Sequence, residues 1–275
     1  MLVARLALAA LALAAPIPHF AQMDTGPAGG TVWLGVIPGT ATGRISAVYL
    51  PPGFTTTRRY PVVYLLHGMP GSPNSYTDSL QLVTVADELI SSGATRPFIA
   101  VVPVAGPSSR YDGEWTGPWE DYLVRDVVPW ADARLPTIEG PEGRVLAGLS
   151  AGGYGAVDVG LRHPRLFGTL ESWSGYFHPL RDGTLKHASR AVLWAHDPTR
   201  LVRTIAPLLR RDHDRFFLGA GPSHGVVRER NTVDFARELR SLDVQYDLWP
   251  VPAALEKTPY EAQLVQGLRY AFPPG

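Results

Sequence analysis

The chain has 275 residues, 45% of them hydrophobic, which is enough apolar content to build a sizeable buried core. Lys plus Arg and Asp plus Glu each total 25, so the formal charge is zero and no large cationic surface for nucleic acid or acidic lipid is expected. The absence of cysteine excludes disulfides, thiolate metal sites and thiol nucleophiles, so a nucleophile on this chain is an oxygen.

In chain order, the N-terminus reads "MLVARLALAALALAAPIPHFAQ", with Arg5 followed by an unbroken apolar run from Leu6 to Ala15. A bilayer core needs roughly 20 such residues, so the run reads as a secretory signal peptide and not a membrane span. Ala12 and Ala14 form a small-x-small cleavage site, with Ala21 as a later alternative. Residues 1–22 are taken as leader and 23–275 as one domain, destined for the cell envelope or the exterior.

Short β-rich runs then alternate with longer helical ones, the pattern of an α/β protein with a mostly parallel sheet of about eight strands flanked by helices. "TVWLGVI" and "RISAVYL" open it, and "YPVVYLLHG" and "PFIAVVPV" are apolar enough to be buried on both faces. Helical spacing covers Tyr76 to Ser92 through Leu80, Val83, Leu89 and Ile90. A polar, aromatic loop "SSRYDGEWTGPW" leads into a helix over about Glu120 to Arg134. The strand "RVLAGL", a turn at Ser150 and a small-residue helix to about His163 follow. Further strands are expected at "GTLESWSG", "RFFLGAG" and "VQYDLWPV", with helices in "TVDFARELRSL" and from Tyr260 to Phe272. Asp197 in "AHDP" reads as a helix cap.

"GLSAG" places Ser150 between a strand and a helix with glycines at positions 148 and 152. That is the context in which Gly-x-Ser-x-Gly forms a strained turn presenting a serine hydroxyl. The Ala151 N–H, at the helix N-terminus, is a first donor for a developing oxyanion. "LLHGMPGS" can aim the Met69 N–H at the same point, with His67 holding its loop by a ring hydrogen bond.

In this order and spacing, "LLHGMPGS", "SSRYDGEW", "WEDYLVRDVVPWADARL", "GLSAGGYGAVDVGLRHPRLFG" and "SWSGYF" resemble the putative-esterase family of α/β-hydrolases, which includes esterase D, feruloyl esterases and mycolyltransferases. The similarity runs from about Gly30 to Phe272. It implies an α/β-hydrolase fold, Ser150 as nucleophile, Met69 and Ala151 as the oxyanion hole, a small-molecule or envelope acyl ester as substrate, and no cofactor. It also places Trp115, Trp119 and Glu120 around the pocket, in a structural or substrate-lining role. A paired-carboxylate glycosidase site drawn from Asp112, Glu114 and Glu120, and any metal site, are the weaker readings.

The chain departs from the family after the last strands. Where members carry Leu-Asp-x-Gly-x-x-Asp, this chain has "LGAGPSHG", with His224 in the acid's position. The loop that resembles Gly-Gly-His-Ser-Trp reads "AALEKTPYEAQL", with Leu255 in the histidine's position, and no histidine follows His224. Loss of a triad member costs on the order of 10⁴ to 10⁶ in turnover. His224 oriented by Glu256 is the best substitute base, and His178, after the sixth strand, is the next. His163 reads as structural, and His187, His196 and His213 as surface residues. Two functions stay open: an exported serine esterase or acyltransferase with a rearranged triad, or an inactive hydrolase-fold protein that binds an acyl or glycan ligand.

Overall fold

A computed structural model describes residues 17–39, 44–106, 115–221, 226–252 and 258–275. Among the described residues nine strands form one sheet: β1 (Phe20–Thr25), β2 (Thr31–Val36), β3 (Ile45–Leu50), β4 (Val62–Leu66), β5 (Ile99–Val102), β6 (Arg144–Leu149), β7 (Thr169–Trp173), β8 (Arg215–Ala220) and β9 (Gln245–Pro250). The order is β1-β2-β3-β5-β4-β6-β7-β8-β9. β1, β2 and β3 pair antiparallel and β3 joins β5 antiparallel, while every pairing from β5 to β9 is parallel.

The helices are α1 (Leu82–Ser91), α2 (Pro118–Asp121), α3 (Val128–Arg134), α4 (Ala151–Arg162), α5 (Arg190–Ala195), α6 (Pro198–Asp212), α7 (Val226–Ser241) and α8 (Pro259–Ala271). Side chains alternate across each strand, so Val62, Tyr64 and Leu66 face one apolar layer and Val63 and Leu65 the other. Residues of α3, α4, α6 and α7 fill the first layer; α1 and α8 supply the second. Burial on both faces explains why β4, β5 and β7 contain only buried residues.

All eight expected strands are present, and the ninth, β1, precedes them. Of its six residues only Phe20 is buried, so its sequence shows no alternation to read. Its pairs Phe20 with Gly35, Ala21 with Leu34 and Gln22 with Trp33 carry the sheet into the stretch assigned to the leader. Ile17 is also buried, and Phe20 stacks on Trp130 with ring centroids 5.2 Å apart.

Two expected helices are interrupted. A π-helical turn (Ser75–Ser79) ends before α1, with Gln81 at φ +48° between them. Another π turn (Tyr122–Val127) joins α2 to α3, just before Pro129, whose missing N–H removes an i→i−4 bond. Asp197 caps α6 as expected: its carboxylate accepts from the Arg200 N–H at 3.1 Å.

Candidate active site

Ser150 closes β6 and caps α4 at φ +54°, ψ −116°, a backbone region costly for a residue with a Cβ. It is held there from both sides. Its N–H donates to the Trp173 carbonyl at the end of β7 (2.9 Å), and its carbonyl accepts from the Tyr154 N–H (3.1 Å). A side chain at Gly152 would press into the Leu66 carbonyl of β4, and one at Gly148 into the backbone of Gly152. The two glycines therefore let β4, β6 and α4 meet closely enough to force the turn.

Ser150 is 6% exposed, and Ala151 begins the twelve-residue α4, whose first N–H groups have no intrahelical partner. Gly68 lies against this turn: a Cβ there would meet the Leu149 side chain and lie 3.3 Å from Ser150 Cβ. The segment after β4 that carries Met69 is thus beside the serine.

His67 holds that segment, as expected of it. Its Nε2 accepts from the Ala105 N–H at 3.1 Å, so Nδ1 carries the proton and donates to the Gly68 carbonyl at 3.0 Å. Burial lowers its pKa to about 4, against the opposing pull of that carbonyl, and the ring is neutral at pH 7. Trp115 packs edge-on to His67 (centroids 5.1 Å apart) and donates its indole N–H to the His67 carbonyl at 3.1 Å. It is fully buried, whereas Trp119 is half-buried against the same core.

Glu120 is turned into the fold. Its Oε1 accepts from His163 Nε2 at 2.7 Å and Arg162 Nε at 3.0 Å, both from the end of α4. Burial pushes its pKa up, but these two bonds outweigh burial and hold it below the usual range. The structural half of the expectation for Glu120 is what this geometry displays, and His163 is structural too.

His178 is exposed and donates from Nδ1 to Asp197 Oδ2 at 3.1 Å, a bond that raises its pKa. His224, Leu255, Glu256, Asp112 and Glu114 lie outside the described residues. Among the described residues, no three His, Asp or Glu side chains gather as they would around a metal ion.

One expectation is corrected. His196 is buried, not a surface residue, because Asp158 of α4 reaches it: Nδ1 donates to Asp158 Oδ2 at 2.8 Å. The Asp158 carboxyl, pushed up in pKa by burial, belongs to a stripe of polar residues four apart on an otherwise apolar and glycine-rich helix. Tyr154 donates to the His196 carbonyl at 2.6 Å, and Arg162 to the Ala195 carbonyl at 2.8 Å. The helix that starts at Ser150 thus clamps the segment entering α6. The i, i+4, i+8 spacing of Tyr154, Asp158 and Arg162 was the one sequence signal for this clamp.

Residues 41–249 match the family model described as "Esterase: Putative esterase". The chain belongs to the putative-esterase family. Within the family's wider company it is similar to an esterase of Mycobacterium tuberculosis, 31% identical over 155 residues, covering 54% of this chain and 32% of that protein. It is also similar to an endo-1,4-beta-xylanase/feruloyl esterase of Xylanibacter ruminicola, 32% identical over 147 residues, covering 49% of this chain and 20% of that one. The chain therefore spans only a third and a fifth of the length of these two relatives. A solved ferulic acid esterase superposes with a TM-score of 0.74 over 88% of this chain and 98% of its own, at 21% identity, which shows a shared α/β-hydrolase fold.

Proposed function

We propose that the chain cleaves or transfers the acyl group of a small-molecule or envelope carboxylic ester, with Ser150 as nucleophile and the Met69 and Ala151 N–H groups as oxyanion donors. The observation that carries this reading is the backbone of Ser150, kept at φ +54° by glycine contacts and by the Trp173 carbonyl. Family membership and the esterase names of its relatives point the same way.

In this mechanism the Ser150 hydroxyl attacks the ester carbonyl and yields its proton to a base. The oxyanion takes hydrogen bonds from the two N–H groups, and the alcohol leaves with a proton returned by the base. Water or a second alcohol then takes the acyl group from Ser150. His224 oriented by Glu256 is the proposed base, in place of the histidine that Leu255 replaces. His178 is the second imidazole to test, because its Nδ1–H is already held by Asp197 and Nε2 is left as its proton acceptor. The leader is proposed to export the chain.

A fluorophosphonate probe tests the reading. It should label the wild type slowly and Ser150→Ala not at all, while His224→Asn and His178→Asn identify the base by which one lowers ester hydrolysis. Labelling that survives in Ser150→Ala overturns the nucleophile. Labelling of Ser150 without turnover of any ester leaves the alternative, a protein that binds an acyl or glycan ligand.

A further inference from the structure

Seven large apolar side chains stand exposed among the described residues, and three of them, Leu180, Val192 and Trp194, fall within one fifteen-residue stretch. Val192 and Trp194 lie on α5, a six-residue helix with no buried side chain. So short a helix is not stable by itself, and this one has no apolar face docked on the core. It is held by its ends. Ser189 Oγ accepts from the Val192 N–H at 3.3 Å, and at the other end Arg162 and Asp158 hold Ala195 and His196. The turn carrying Leu180 is tied in as well, since Arg181 donates to the Ala188 carbonyl at 3.0 Å. The apolar side chains are therefore displayed by a fixed scaffold.

Charge is gathered around them. The guanidinium of Arg200 lies 4.5 Å from the centre of the Trp194 ring and that of Arg190 lies 5.9 Å from it. Arg181 and Lys186 are exposed nearby. Between residues 180 and 200 the only carboxylates are Asp182 and Asp197, and Asp197 is engaged by His178 and the start of α6. A chain of zero formal charge thus carries a local cationic excess at its most exposed tryptophan.

We propose that the Trp194 face of α5 docks on the headgroup layer of an anionic lipid bilayer, with Leu180 and Val192 as its apolar contacts and Arg190 and Arg200 as its phosphate contacts. An indole suits the boundary between headgroup and acyl chain, and the weakly hydrated guanidinium pairs phosphate while lying on the ring. Exposed Leu and Val are what set a lipid surface apart from a soluble polyanion, which would leave them in water. Because α4 both follows Ser150 and holds the end of α5, docking sets a constant standoff between bilayer and serine; that consequence rests on the esterase reading, and the docking itself does not.

Vesicle co-sedimentation in about 0.1 M salt tests it, using phosphatidylcholine alone or with roughly 30% phosphatidylglycerol. The wild type should partition at least about fivefold better onto the anionic vesicles. Trp194→Ala with Val192→Ser should lower that partition at least about fivefold, and Arg190→Glu with Arg200→Glu should erase the preference for anionic lipid. Both charge reversals sit in the first turn of a helix, where an acid is favoured, so folding is spared; circular dichroism verifies it. Wild type and variants share one N-terminus, so any lipid affinity of the leader cancels in the comparison. Equal sedimentation of wild type and variants, or no anionic preference in the wild type, overturns the proposal. So does a concentration-dependent dimer, absent in Trp194→Ala, with no vesicle binding: the face would then join two copies. Fluorophosphonate labelling of Ser150 in the same samples reports separately on the esterase reading.

Discussion

Asp158 and His196 meet at 2.8 Å inside the protein, the carboxylate from the helix that starts at Ser150 and the imidazole from the segment leading into α6. Among the described residues the second carboxylate oxygen, Oδ1, has no hydrogen-bond partner, so the His196 bond, with the more distant charge of Arg162, compensates this buried acid. His196→Ala should cost roughly 3 kcal/mol in urea unfolding, because it strands a buried carboxyl. A solvent-facing histidine would cost within about 0.5 kcal/mol. Asp158→Asn, which keeps an acceptor for Nδ1, should cost less than His196→Ala.

Glu171 predicts how stability depends on pH. It lies in the middle of β7, buried, with one oxygen accepting from Trp173 Nε1 at 3.0 Å, and burial raises its pKa from 4.5 to about 8. Between those two values the unfolded chain has released a proton that the folded chain still holds. Its contribution is therefore fully present below about pH 4.5 and is lost as pH rises toward 8. The whole shift corresponds to roughly 5 kcal/mol. Glu171→Gln cannot ionise, so its unfolding free energy measured at pH 5, 7 and 8 should gain on the wild type at each step; parallel curves would show that Glu171 does not titrate with folding.

The position of β1 sharpens the expectation for the leader. Cleavage after Ala14 leaves Ile17 buried and Phe20 stacked on Trp130, whereas cleavage after Ala21 removes both and frays the edge of the sheet. Loss of two buried apolar side chains costs about 3 kcal/mol or more. Mass spectrometry of the chain from a secreting host should find an N-terminus near Ala15, ahead of Ile17.

The double substitution His224→Asp with Leu255→His tests the proposed altered triad directly. It restores a carboxylate and an imidazole at the positions the family uses, and hydrolysis of a short activated ester should rise at least about tenfold. The gain should stay below the full value of a triad because, by the resemblance, Lys257 and Tyr260 stand where family members carry tryptophans, and a loosely held base loses much of its effect. Leu255→His alone should gain less. If His224→Asp alone removes a wild-type activity, His224 is already the base.

The parts legible in the sequence are those whose signal is local or repeats within one element. Runs such as "VVYLL" announce strands buried on both faces, since a parallel sheet under two helical layers needs apolar residues at every position. The Ser150 turn was legible because a strand, two glycines at fixed offsets and a helix lie within a dozen residues. Asp197 was legible as a cap because it bonds three residues ahead.

Burial of a polar residue, or exposure of an apolar one, depends instead on which distant segments meet, and there the tertiary structure decided. β1 escaped notice because its fit to β2 and Trp130 involves one buried side chain in six. His196 reads as a surface residue until Asp158, 38 positions away, is brought against it. Nothing local in the sequence marks Trp194 as exposed, yet α5 is held by its ends and leaves the ring half-exposed beside two arginines. A residue's type sets what its burial costs, but only the packing of the whole chain sets whether that cost is met.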